Sequence, residues 1–165
     1  MSKIEIQLPA MLLMGNYKNH FDTYFEAVYE VFKNDFVNSQ PTFRGRKLGL
    51  KKHPLVFGKE ATFYHLTHSG EDEQNRLPEI PRMERIPYPR PIIDNSDYSC
   101  LRVWANKRGY ERRILLYHEL ENYLVVLADR GHYILPWTAY LVDHPKRKEK
   151  ILNEYTMFLK SGGTL

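Results

Sequence analysis

The chain has 165 residues, 42% of them hydrophobic and 27% charged, the composition of an ordinary globular protein and not of a disordered one, and fits one domain over residues 1–165 with a proper core. A formal charge of +4 and a pI near 9.1 lean toward a polyanionic partner. The single Cys100 excludes an internal disulfide and a cysteine-rich metal site, and no apolar run approaches the ~20 residues of a membrane span. The start, MSKIEIQLPAMLLMGN, carries Glu5 and Pro9 and lacks a signal-peptide apolar region, so the expectation is a cytoplasmic protein with no membrane contact.

Residues 1–15 read as a short strand or an ordered arm ending at Gly15. From Asn19 to Val37, Phe21, Phe25, Val28, Tyr29, Phe32 and Phe36 recur at spacings of three and four, predicting an amphipathic helix capped by Asn16 or Asn19. Its aromatic stripe is a core face. In Pro41–His53, Phe43, Leu48 and Leu50 are spaced by Gly45 and Gly49 and surrounded by Arg44, Arg46, Lys47, Lys51 and Lys52. This reads as a basic edge strand or hairpin, whose cations either protect the edge from aggregation or form a rim that contacts phosphate.

Gly58–His68 predicts a turn and a strand, with Phe63, His65 and Thr67 on one face and Tyr64, Leu66 and His68 on the other. Histidines on opposite faces argue against a joint metal site. Residues 69–98 are the least regular. Glu79–Ile86 suggests a helical turn or two, and Pro87, Pro89 and Pro91 impose an extended path. The segment carries Arg76, Arg82, Arg85 and Arg90 yet also Ile80, Met83, Ile86, Tyr88, Ile92 and Ile93, so it wraps the sheet and does not link domains.

Cys100–Ala105 is a strand, Asn106–Gly109 a turn, and Glu111–Glu119 the partner strand with Arg113, Leu115 and Tyr117 on one face. Tyr123–Ala128 is an apolar central strand that returns, after Asp129-Arg130-Gly131, through His132–Val142. Strict alternation there puts Ile134, Pro136, Thr138, Tyr140 and Val142 on one face and Leu135, Trp137, Ala139 and Leu141 on a core face. His144–Lys160 is an amphipathic helix with Pro145 in its first turn, stopped by Gly162-Gly163, and residues 161–165 form a frayed tail. The fold class is α+β: a twisted antiparallel sheet of four to six strands, with an N-terminal and a C-terminal helix packed on one of its faces.

Several chemistries lack their motifs: there is no Gly-rich phosphate loop, no HExxH, no nucleophile elbow and no converging carboxylates for two metals. No metal or cofactor is expected. The strands do offer His, Arg, Thr and Tyr, which suffices for metal-independent RNA cleavage. There the substrate's 2′-hydroxyl attacks, a His moves the proton, and cations and hydroxyls hold the phosphorane oxyanions.

Tyr123-Leu-Val-Val-Leu, a short gap, then Tyr133-Ile-Leu-Pro-Trp-Thr-Ala-Tyr140 and a charged helix resemble the C-terminal part of phage-associated nuclease-like domains of the barnase–EndoU–colicin–RelE superfamily. Phe32-Lys-Asn-Asp-Phe-Val and Thr62-Phe-Tyr-His-Leu-Thr67 resemble the opening of that group, and Arg82-Met-Glu-Arg-Ile86 its middle element, so the likeness spans roughly residues 30–158. The resemblance implies an endoribonuclease of a toxin or phage–host conflict system, acting on tRNA, mRNA or rRNA and countered by an antitoxin or immunity protein. It assigns His65 as acid/base, Thr138 as a contact to the scissile phosphate and Arg85 as its countercharge. Tyr140, Arg113, Tyr117, Lys47 and Lys51 are the candidate substrate-binding residues. The chain departs from the family pattern at Pro87, Pro89 and Pro91, and at Trp137, where a small polar residue would stand. Two other readings remain: a catalytically inactive module of the same fold that binds nucleic acid or a host protein, and a phage assembly protein.

Overall fold

The computed structural model describes residues 5–165, so the first four residues of the expected N-terminal arm lie outside the described residues. The rest of the arm is irregular but anchored: Leu8, Met11 and Leu12 pack on the core, and the Leu12 N–H donates to the Glu84 carbonyl at 2.8 Å. A short 3₁₀ turn (Met14–Tyr17) leads into α1 (Phe21–Phe32), which continues as a π-helical turn over Lys33–Val37. Neither expected asparagine caps α1. Asn19 lies at positive φ, and the capping position is His20, without a side-chain bond.

The basic stretch forms the expected hairpin, reduced to β1 (Thr42–Phe43) and β2 (Arg46–Lys47) around a turn in which Arg44 and Gly45 both have positive φ. The following residues continue it against the main sheet by a parallel bridge from Leu48 to Ile134. The expected strand at 58–68 is instead the helix α2 (Ala61–Thr67). All seven of its residues are buried, so no polar face marks a helical period, and a short apolar run without a period reads equally well as a strand. After β3 (His68–Ser69) and its antiparallel partner β4 (Leu77–Pro78), the proline-rich segment is helical too, as α3 (Ile80–Glu84) and α4 (Pro89–Asp94). Pro81, Pro89 and Pro91 fall in first turns, where no intrahelical N–H is required.

The main sheet is the expected four-strand antiparallel meander, β5 (Leu101–Arg108), β6 (Glu111–His118), β7 (Tyr123–Asp129) and β8 (Ile134–Leu141), with spatial order following the chain. The last helix, α5 (Pro145–Lys160), is capped by the His144 imidazole, which accepts from the Lys146 N–H at 3.2 Å. The fold is therefore α+β, but helices cover both faces of the sheet. Leu116, Val125, Leu127 and Ala139 pack toward α1–α4, while Trp104, Leu115, Leu124 and Val126 pack under Ile151 of α5. Tyr123–Ala128 are all buried, and a strand apolar on both sides needs cover on both sides. The tail is tethered: the Gly163 N–H donates to the Phe158 carbonyl at 2.9 Å, and Arg112 donates to the Thr164 carbonyl at 2.8 Å. Among the described residues, no helix is long and apolar enough to cross a membrane.

Candidate nucleic-acid interface

The position of the site depends on one irregularity in β8. Val126 pairs with Thr138 and Leu127 with Pro136, leaving Trp137 as an extra residue, a β-bulge. Beyond the bulge the alternation is inverted. Ile134 and Pro136 lie on the α1–α4 side, whereas Thr138 and Tyr140 face α5, opposite Val126 and Leu124. The single continuous face expected from Ile134 to Tyr140 does not exist. A one-residue slip moves every later side chain to the other side.

Thr138 and Tyr140 thereby join a cavity of about 410 Å³ that crosses all four strands beneath the first turns of α5. Period-two geometry brings Asn106 and Arg108 of β5, Arg113 and Leu115 of β6 and Val126 of β7 to the same side, and α5 adds Arg147 and Lys150. Four cations line the space and no carboxylate does. Arg147 donates to the Tyr140 phenol oxygen at 2.8 Å. Arg113 stacks its guanidinium 5.6 Å from the Trp137 ring centre, 3.7 Å from Glu111, and its buried Nε has no hydrogen-bond partner. Among the described residues, Arg108 and Lys150 form no ion pair and are exposed.

His65 is not at this cavity. It sits in α2 with 3% of its surface exposed, its ring edge-on to Trp137 at 4.7 Å. Its Nε2–H donates to Glu73 Oε1 at 3.0 Å, and the same carboxylate oxygen takes the Lys51 ammonium. Burial, reinforced by the nearby Arg76 charge, pushes the imidazole below its ordinary pKa and keeps it neutral. Lys51, lying over the Trp137 ring at 6.0 Å, helps hold Glu73 below the usual carboxylate range. Trp137 thus separates the two halves of the expected site: its ring covers His65, while its neighbour Thr138 opens into the cavity.

The remaining candidates divide similarly. Arg113 and Tyr140 line the cavity. Tyr117 is fully buried and donates to Asn122 Oδ1 at 3.0 Å, which makes it a core residue. Lys47 is exposed on β2, away from the cavity. Arg85 donates to the Pro81 carbonyl at 3.1 Å, and Arg82, one helical turn earlier, is the arginine that reaches Thr138. Arg82 Nη1 lies 3.4 Å from Thr138 Oγ1 and 2.8 Å from the His68 carbonyl, and its guanidinium covers the Tyr140 ring at 5.4 Å. Sequence reasoning missed Arg82, Arg108, Arg147 and Lys150. Arg108 belongs to the expected turn Asn106–Gly109, whereas β5 runs on through Arg108 and pairs Asn106 with Arg113, so period-two counting along a longer strand finds it. The polar face of α5 holds Arg147 and Lys150, and Arg82 differs from the expected Arg85 by one helical turn. Among the described residues, no group of three or more His, Cys, Asp or Glu is arranged to hold a metal ion.

A scan of protein-family models, a search of curated proteins and a search of solved structures each return no match to this chain. The class defined by fold and site is an α+β protein with a cationic cleft laid across an antiparallel sheet.

Proposed function

We propose that the protein binds RNA through its phosphate backbone, in the cleft between the sheet and α5, as a cytoplasmic nucleic-acid-binding module. The observation that carries this reading is the wall composition: Arg108, Arg113, Arg147 and Lys150, with no carboxylate among the lining residues. Two of the cations are unpaired and exposed, suited to release counterions on contact, and Thr138 and Tyr140 add neutral hydrogen-bonding groups at the floor, whereas the Asn106 amide is taken by Glu154 at 2.8 Å. The cleft has no imidazole, so binding is better supported than His-dependent cleavage. Binding of a single-stranded RNA of about twelve nucleotides, followed by anisotropy at increasing salt, is expected to weaken with a log–log slope of about −2 to −3, as for three or four neutralised phosphates. Undiminished affinity in Arg108→Gln/Lys150→Gln would overturn the reading.

The endoribonuclease of a toxin or phage–host conflict system, with its antitoxin or immunity partner, is separated by the same samples. RNA cut in EDTA by the wild type, but not by a folded His65→Ala variant, would make His65 the acid/base. Intact RNA with retained affinity supports the module.

A further inference from the structure

On the other side of the molecule, α1, α2 and β3 enclose a second cavity of about 450 Å³, within the range of small-molecule sites. Its walls are aromatic: Phe21 and Phe25 stack with centroids 5.8 Å apart, Tyr64 lies 4.9 Å from the His68 ring, and Phe57 stands at the rim. Phe57 is 89% exposed and has φ +50°, in the left-handed region that a bulky residue rarely enters. It forms, with Gly58, a two-residue turn closed by reciprocal bonds between Val56 and Lys59 of 3.1 and 3.0 Å. Such a turn favours Asn-Gly, and nothing in its hydrogen bonding calls for a phenyl ring. The Tyr64 phenol donates to the Val56 carbonyl at 2.8 Å and fixes the turn at the cavity mouth. A strained residue held in place by its surroundings is a pointer to function.

Two polar groups give the cavity a directional demand. The Thr67 hydroxyl donates to the Phe63 carbonyl at 2.8 Å, so it must accept the Nδ1–H of His68, also at 2.8 Å. That fixes the tautomer and leaves His68 Nε2 an acceptor on the cavity wall, with no hydrogen bond to another described residue. Arg76, on the facing loop, makes no hydrogen bond or ion pair among the described residues, and its Nε is buried without a partner. The other cation, Lys59, is occupied by Glu26 at 2.7 Å and by the Phe25 and Tyr29 rings at 5.1 and 4.9 Å. Asp22 is the remaining carboxylate on the rim.

We infer that this cavity binds a planar aromatic anion bearing a ring N–H or amino donor, its ring against Phe21, Phe25 and Phe57, its donor on His68 Nε2 and its negative group on Arg76. A nucleotide and an aromatic carboxylate both satisfy that description. The experiment is ligand-observed NMR and calorimetry on the full chain with indole-3-acetate, adenosine 5′-monophosphate, 1-naphthaleneacetate (no donor) and indole-3-acetamide (no charge). Saturable binding of at least one donor-bearing anion is expected, with indole-3-acetate roughly tenfold tighter than either control, the worth of one hydrogen bond or charge contact. Tighter binding of the monophosphate identifies the nucleotide source, and tighter binding of indole-3-acetate the carboxylate source. Arg76→Gln should erase the preference over the acetamide, and Phe57→Asn should weaken every ligand without lowering stability. No saturable binding below about 5 mM, where affinity falls to roughly 3 kcal/mol, or equal binding to a folded Arg76→Gln variant, would overturn the inference.

Discussion

The two cavities have similar volumes, about 410 and 450 Å³, and opposite chemistry. The sheet-side cleft is walled by four cations on β5, β6 and α5, with Tyr140 as its one aromatic residue. The helix-side cavity is walled by phenyl and phenol rings, with the Arg76 guanidinium, whose Nε has no hydrogen-bond partner, and the acceptor nitrogen of His68. The difference follows from what builds each. The cleft is floored by Leu115 and Val126 of the apolar cluster under Ile151 and rimmed by charged stems from β5, β6 and α5, and the other cavity lies where a buried helix meets an aromatic stripe. Volume therefore says little about ligand class, and wall chemistry decides it.

Acid should separate the two most strongly. His68 is lowered to about 4 by burial and by the charges of Arg76 and Arg82, and burial also lowers His65 and His118. Each unfolded histidine takes up its proton near pH 6.5 while the folded one resists, so stability is complete above about 6.5 and declines as pH falls toward 4. The His68 shift alone corresponds to roughly 3 kcal/mol. Urea midpoints from pH 7 to 4.5 should fall steeply and flatten in His68→Gln, while RNA affinity of the still-folded protein changes little, because neither a histidine nor a carboxylate lines the cleft.

Arg113→Gln/Lys150→Gln should raise the RNA Kd by about 30- to 100-fold near 0.1 M salt, roughly 2–3 kcal/mol, and leave indole-3-acetate binding untouched. Titrations of both ligands on one preparation test that independence. Arg82 is the side chain that reaches both regions, through the His68 carbonyl and Thr138 Oγ1. Arg82→Met should weaken both ligands severalfold, of order 1 kcal/mol, and an effect confined to one would show that no coupling runs through it. The smallest effect is expected at the strained turn, where Phe57→Asn should add about 0.5–1 kcal/mol, a rise in Tm of a few degrees by calorimetry.

Much of the sheet was legible because its signals are local. Tyr123–Ala128, the Asp129–Gly131 break, the Arg113–Tyr117 alternation and Pro145 at a helix start carry their meaning within a few residues. The elements read wrongly fail for identifiable reasons. Ala61–Thr67 is buried on every side, so its helical period is invisible. Pro87, Pro89 and Pro91 imply an extended path unless one knows that a helix begins at Pro89. Of the candidate site, Thr138, Tyr140 and Arg113 do share a cavity, whereas His65, Tyr117, Arg85, Lys47 and Lys51 do not line it.

The amino-acid sequence by itself determined the four strands of the main sheet, their order and the basic balance, because hydrophobic period, turn chemistry and charge are properties of neighbours along the chain. Only the tertiary structure decided that Trp137 is a bulge, which carries Thr138 into a cationic cleft and closes over His65. A bulge is specified by how two strands pair across the sheet; Pro136, which has no N–H for the ladder, marks an edge strand or a bulge but does not say which residue is the extra one or which face Thr138 takes.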